Sequence, residues 1–343
     1  MHNSVVLLFL LLLVSGCDQN SATTNFSNYS QRLASVLDAQ PSKPNKIEYI
    51  EFPSTRSLTL PIDDIRIGLL DAYELKACGL FHLIAERNSV LGKVQDQSRQ
   101  LRYEILLLNG LSHCLSTIDE NNELSGILLE FEQKKKKQLP FYLWNMMTTG
   151  QEWRQQFRLH HRPFSLNEFY GFNEAIDAFT YLRHLSDAIN QQSSISNSQA
   201  ERILFHQEKI HPHHYLGQLF FSMATATEWL SSITLMLEKK ENTIICGANR
   251  NQQQVQYLSN VFYKYFATNI QRYLAELDSQ YRQIQPIVAP LLSAQLKLND
   301  SLSAYYHFYI AGQLHQSFRE ATLRHVEFWQ RTFKRCNIKV GLN

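Results

Sequence analysis

Apolar residues recur at three- and four-residue intervals along most of this chain, and that period predicts helices. After Pro61, the residues Ile62, Ile65, Leu69, Tyr73, Ala77, Leu80 and Ile84 share one face, with Asp63 and Asp64 placed to complement a first-turn dipole. A second stripe, Leu101, Ile105, Leu108, Leu111 and Leu115, runs to about Ile118. Between the two, Asn88, Ser89, Gly92 and Asp96 are cap and turn residues, which favours a helical hairpin across residues 75–115. The same spacing also fits one unbroken helix.

Further along, a shorter helix from Asn121 is expected to end in Lys134 to Lys137, a solvated C-terminus ahead of Pro140. Phe141 to His161, with Trp144, Gly150 and Trp153, reads as two short helices. Phe169, Phe172, Ile176, Phe179 and Leu182 stripe the next one, which ends at a Ser/Gln/Asn linker over residues 191–198. A helix from about Gln199 stops at Pro212, and a more apolar one covers Tyr215 to Leu237. The last two are the longest. One carries Val255, Leu258, Phe262, Tyr265, Phe266, Tyr273 and Leu277 up to a turn at Pro286–Pro290; the other carries Leu302, Tyr306, Tyr309, Leu314, Phe318, Val326, Trp329 and Phe333.

Exceptions to the helical period cluster near the start. Pro41, Pro44, Pro53 and Pro61 rule out a long helix before Ile62, and Lys46 to Phe52 alternates like a lone strand. The fold class is therefore all-α, an elongated multi-helix bundle of long antiparallel helices. Its expected divisions are a leader (1–16), an N-terminal tether (17–44) whose Phe26–Leu37 pattern can dock, and two packed helical subdomains, 45–162 and 163–343. Composition agrees: 44% apolar, 12% aromatic, and 12 Gly with 9 Pro to punctuate 343 residues. A formal net charge of +2 gives no case for nucleic acid.

The first residues change the picture. Val5 to Val14 is an apolar run too short to span a bilayer, followed by Ser15-Gly16-Cys17. VSGC resembles the bacterial lipobox, although the n-region has no Lys or Arg. The resemblance implies cleavage before Cys17, a diacylglycerol on its thiol, an acyl group on its amine, and hence durable anchoring. Asp18 is similar to an inner-membrane retention signal, which favours the periplasmic face of the inner membrane, with the outer membrane as the alternative.

Four further cysteines remain, Cys78, Cys114, Cys246 and Cys336. An even count in an oxidising compartment points to two disulfides with three possible connectivities. Sequential pairing fits the helical reading best. In the unbroken-helix alternative Cys78 and Cys114 would lie ~50 Å apart and could not pair.

Catalytic signatures are missing from the sequence: there is no G-x-S-x-G, Walker loop, G-x-G-x-x-G or HExxH. The stretch from His206 through His211, Pro212, His213 and His214 is broken by its proline, so these and His160-His161 read as surface histidines, with no metal and no cofactor expected. The candidate partner-binding residues sit at the hairpin centre: Glu86, Arg87, Asn88, Lys93, Gln97, Arg102 and Glu104. The competing reading is that they cap helices and pair among themselves.

CGLFHLIAERNSVLGKVQDQSRQLRYE, residues 78–104, resembles a family of bacterial lipoproteins known only as a domain of unknown function. HVEFWQRTFKRC, residues 325–336, is similar to that family's closing segment. The resemblance implies an envelope lipoprotein and supplies no catalytic residue. The expectation is a non-enzymatic scaffold or adaptor that binds an envelope protein; the alternative is a lipid- or glycan-binding module with an aromatic cleft.

Overall fold

The computed structural model describes residues 21–47, 49–63, 75–119, 122–247, 252–293, 296 and 299–338. Cys17, Asp18, Ile65, Leu69 and Tyr73 lie outside the described residues, as does the side chain of Lys93. The protein is an all-α multi-helix bundle, and among the described residues the only β pairing is two isolated bridges, Ser21 with Ser165 and Ser165 with Glu168.

The first described helix is α1 (Ala22–Leu37), within the segment that the sequence divides off as 17–44. The Phe26–Leu37 pattern docks: Ala22, Phe26, Tyr29, Leu33 and Leu37 are buried in the main core. Their three- and four-residue spacing gives the helix one apolar face to dock, which outweighs the polar composition around it. Residues 46–47 and 49–52 do not form a strand. They run in irregular conformation, and the Ile50 amide donates to the Tyr309 hydroxyl (3.1 Å) rather than to a partner strand. A single turn, α2 (Thr55–Leu58), is capped by Ser54, and the side-chain amide of Asn145 pairs with both backbone groups of Leu60 (2.8 and 2.9 Å).

The hairpin forms. Helix α3 (Leu80–Asn88) leads through a short turn, α4 (Val90–Lys93), to α5 (Gln97–Thr117), which Asp96 caps by accepting from the Arg99 amide. Reversal brings the Cα atoms of Cys78 and Cys114 to 5.3 Å, and those of Cys246 and Cys336 to 4.9 Å, both within disulfide reach. Leu75, Leu80, Ile84, Leu107, Leu111, Leu128 and Phe131 close a small core around the first pair.

Helix α6 (Glu123–Thr149) departs from expectation. It runs straight through Pro140, so the lysines lie mid-helix rather than at a C-terminus. Burial of Leu139, Tyr142, Leu143, Met146 and Met147 holds the turn after the proline. Each such side chain contributes about 1.5–3 kcal/mol, against ~3 kcal/mol for the proline. After α7 (Gln151–Phe157) come α8 (Phe172–Asn190), α9 (Asn197–Ile210) and α10 (Tyr215–Lys239). Ser196 and Gln199 form a reciprocal capping box at the start of α9.

The two long final stripes are composite. α11 (Gln253–Val261) continues through a π-helical stretch, Phe262–Ile270, into α12 (Gln271–Ser293), which contains both Pro286 and Pro290. No turn occurs at these prolines. Ile284, Val288, Leu291 and Leu292 carry the buried face past them while Pro286 faces solvent. The other stripe divides into α13 (Asp300–Tyr305), a π turn (Tyr306–Ile310) and α14 (Gln313–Arg335), separated by Gly312 at φ +105°, a backbone conformation that suits glycine. α14 packs along α10, α8 along α12, and α5 along both α6 and α9. One continuous apolar core takes in side chains from Ala22 to Phe333, and it crosses residue 163 without interruption.

Candidate functional site

The hairpin centre disperses the residues the sequence grouped there. Glu104 is buried and pairs with Lys135 across α5 and α6 (Nζ to Oε2 2.8 Å, both side chains about 5% exposed or less). It therefore cannot meet a partner, and Lys135 is not part of a solvated lysine end. Arg102 is engaged in a two-pronged contact with Glu201 of α9 (2.8 and 2.6 Å). Arg87 donates to the Gly92 carbonyl and stands 5.9 Å over the Tyr103 ring. Glu86 is exposed, Asn88 and Gln97 are half-buried, and beside them Val90 and Val94 are 82% and 76% exposed.

The histidines also separate. His206 is buried and stacks on Tyr181 with centroids 4.6 Å apart, whereas His211 is exposed near Glu152 (4.0 Å). No cluster of three or more metal-ligating side chains occurs among the described residues.

A different site emerges where α7 ends. The chain leaves α7 at Phe157 and passes beneath the start of α10, leaving a cleft of about 790 Å³. Arg154, Arg158, His160, His161, Arg162 and His214 line it, together with Thr55, Thr149, Gln151, Gln155 and Leu159. Its scaffold is Gln156, fully buried. The Gln156 amide nitrogen donates to the carbonyls of His213 (2.6 Å) and Ile210 (3.1 Å), and its oxygen accepts from the Tyr215 amide (3.2 Å). These bonds clamp α7 to the α9–α10 corner and so bring His214 to the arginines. Gly217 completes the fit: a Cβ there would meet the Arg158 carbonyl oxygen at 1.8 Å.

Arg154 is fixed by donating to the Thr148 (3.0 Å) and Pro53 (2.5 Å) carbonyls, with its guanidinium 5.0 Å over Phe52. Burial, then the charge of Arg158, pushes its pKa down. His214 is also pushed down, first by burial and then by His160, Arg158 and His213. The His160 and His214 rings lie 5.5 Å apart. Among the described residues no carboxylate stands within ion-pair distance of Arg154, Arg158 or Arg162. The cleft is thus a cluster of donors and positive charge without an internal counter-charge, complementary to an anion.

Residues 26–340 match the model of a family described as protein of unknown function, DUF3080. The chain belongs to this family. No curated protein and no solved structure matches it. In this DUF3080 chain the sequence points to the hairpin for recognition and reads His160-His161 as surface histidines, whereas both line the cleft. A signal was present: RQQFRLHHR, residues 154–162, holds three arginines and two histidines and no acid. The sequence names His214 but does not place it beside the arginines, which it reaches through the Gln156 clamp.

Proposed function

We propose that this DUF3080 protein is a membrane-anchored, periplasm-facing lipoprotein that acts by binding rather than by catalysis, with the cationic cleft as its recognition site. The observation that carries the reading is the uncompensated charge of Arg154, Arg158 and Arg162 in a concave site that presents donors. A cleft of about 790 Å³ is of ligand size. Its lining holds no carboxylate or cysteine, and of its two hydroxyls that of Thr149 donates to the Asn145 carbonyl (2.6 Å). The anchor follows from the apolar Val5–Val14 run ending at VSGC. No described helix is long and apolar enough to cross a membrane.

Burial of the largest aromatic side chains supports the cleft over an aromatic groove. Trp153, Trp329, Tyr273, Phe179 and Phe220 are core residues, each essentially inaccessible. A second reading keeps the adaptor role at the hairpin tip, and exposed Val90 and Val94 beside Glu86 favour it, since an apolar pair rimmed by polar groups suits a protein contact.

Photocrosslinkers in living cells separate the two sites. One at Gln151, on the cleft's rim, is expected to yield a defined adduct that Arg158→Gln abolishes. One at Val90 reports the hairpin. Adducts at Val90 alone would move recognition to the tip, and identical random neighbours at both would remove the binding reading. Cys17→Ser is expected to release the protein from membranes in the same cells.

A further inference from the structure

We infer that the cleft takes the phosphate headgroup of an anionic phospholipid in the membrane that carries the anchor; this rests on the anchored, anion-binding reading above. The chemistry points to phosphate. Arg154 is held by carbonyls of the protein, while Arg158 and Arg162 are exposed and no carboxylate pairs with them among the described residues. Guanidinium forks match phosphate oxygens in two-pronged fashion, and several forks around one concavity suit a group that offers oxygens in several directions. His160, His161 and His214 add donors on the same walls.

Position points to the bilayer. Ser21, the first described residue, bridges to Ser165. It stands four Cα steps from Cys17, a span of at most ~14 Å, and Ser165 stands three steps from Arg162, at most ~11 Å. Arg162 therefore lies within roughly 30 Å of the lipidated residue, against a breadth of roughly 50 Å for a compact chain of this length. The tether is too short to let the whole molecule stand between the cleft and the lipid surface. The acyl chains fix one end of the protein, and the cleft meets headgroups on that side.

The test uses the mature chain from residue 17 carrying Cys17→Ser, so that membrane association cannot come from acyl chains. It is sedimented with phosphatidylcholine vesicles, with or without phosphatidylglycerol, and inorganic phosphate or glycerol phosphate is titrated in parallel. Binding to the phosphatidylglycerol vesicles, competed by glycerol phosphate, is expected. Each arginine near a charged surface contributes about a fivefold change in partitioning, so Arg158→Gln with Arg162→Gln is expected to lower it about twenty-five-fold. Lys134→Gln with Lys137→Gln, exposed cations on α6, should leave it near the starting value. Neither arginine of the pair holds a fold contact like those of Arg154, and the circular dichroism of the variant is expected to match the parent.

Phosphate binding without vesicle binding would retain the anion cleft and overturn the lipid assignment. Vesicle binding that the arginine pair and the lysine pair weaken equally would also overturn it, because general surface charge would then suffice. Binding of neither phosphate nor vesicles would overturn the cleft reading itself. The anchor is scored separately, by the mass of Cys17 in protein extracted from membranes.

Discussion

His325 gives the sharpest quantitative expectation. It sits fully buried on α14, at the junction of α1, α10 and the π-helical stretch 262–270. Thr234 spends its hydroxyl proton on the Leu230 carbonyl (2.6 Å), so its oxygen accepts from His325 Nδ1 (2.8 Å). On the other side, Trp329 Nε1 donates to the Tyr29 hydroxyl (2.9 Å), which in turn donates to His325 Nε2 (3.0 Å). Every polar atom is satisfied by the neutral Nδ1–H ring. A second proton on Nε2 would meet the Tyr29 hydroxyl as a donor and force that hydroxyl to turn its own proton away. Burial accordingly pushes the pKa from 6.5 down to about 3. Between those values the unfolded chain takes a proton that the folded chain refuses, so stability is complete above about pH 6.5 and declines as pH falls. From about pH 7 to about pH 5 the loss is about 2 kcal/mol, from 1.36 kcal/mol per unit of separation. Urea unfolding across this range should show the decline, and His325→Gln, which cannot titrate, should flatten it by about 1.2 kcal/mol per pH unit at pH 5–6 whatever its own baseline cost. Parallel pH profiles for parent and variant would refute the neutral-ring assignment.

Other expectations follow from single contacts. Lys135→Met alone strands the Glu104 charge in the core and should cost about 3–5 kcal/mol, whereas Lys135→Met with Glu104→Leu should return stability to near the parent value; equal urea midpoints for the single and double variants would contradict the pairing. Linking Cys246 to Cys336 closes 90 residues and linking Cys78 to Cys114 closes 36. In the chain-entropy account, removing the first costs about 5 kcal/mol and the second about 4 kcal/mol; alkylation of all four thiols in the unreduced native protein would sink both assignments. Gly217→Ala should displace the Arg158 wall, costing about 1–3 kcal/mol and weakening phosphate binding in titration calorimetry, and an unchanged affinity would separate that wall from the site.

Much of the fold was legible in the sequence because its signals were local. The hairpin could be read from Asn88, Ser89 and Asp96, which cap or turn the chain where the structure reverses it. The period from Tyr215 to Leu237 became α10 almost residue for residue. Prolines misled because their cost is local and the compensation is not. Pro140, Pro286 and Pro290 stand inside helices whose apolar faces are buried by elements distant in sequence. The buried ion pair was hidden by residue type, but its register was open to reading. Lys135 falls on the stripe Leu128, Phe131, Lys135, Leu139 and Tyr142, and Glu104 falls between Leu101 and Leu108, so packing one stripe on the other brings the charges together.

The cleft could not be read the same way, and the reason bears on where function sits in this fold. Arg154, Arg158 and Arg162 are four residues apart, a spacing that would make one solvated stripe on a continuing helix. The helix instead ends at Phe157, and Arg158 adopts an extended conformation at φ −77° and ψ 133°. That termination turns a row of charges into the wall of a cavity. It is enforced by the Gln156 clamp on His213 and Tyr215 and by the absent side chain of Gly217, more than fifty residues downstream. The arginines bring mutual repulsion and no counter-ion, a cost that a purely structural segment would have little reason to carry. Most of the largest aromatic side chains, by contrast, are consumed by the core. The recognition site we propose therefore lies at the polar junction between α7 and α10 rather than on the apolar faces that dominate the sequence.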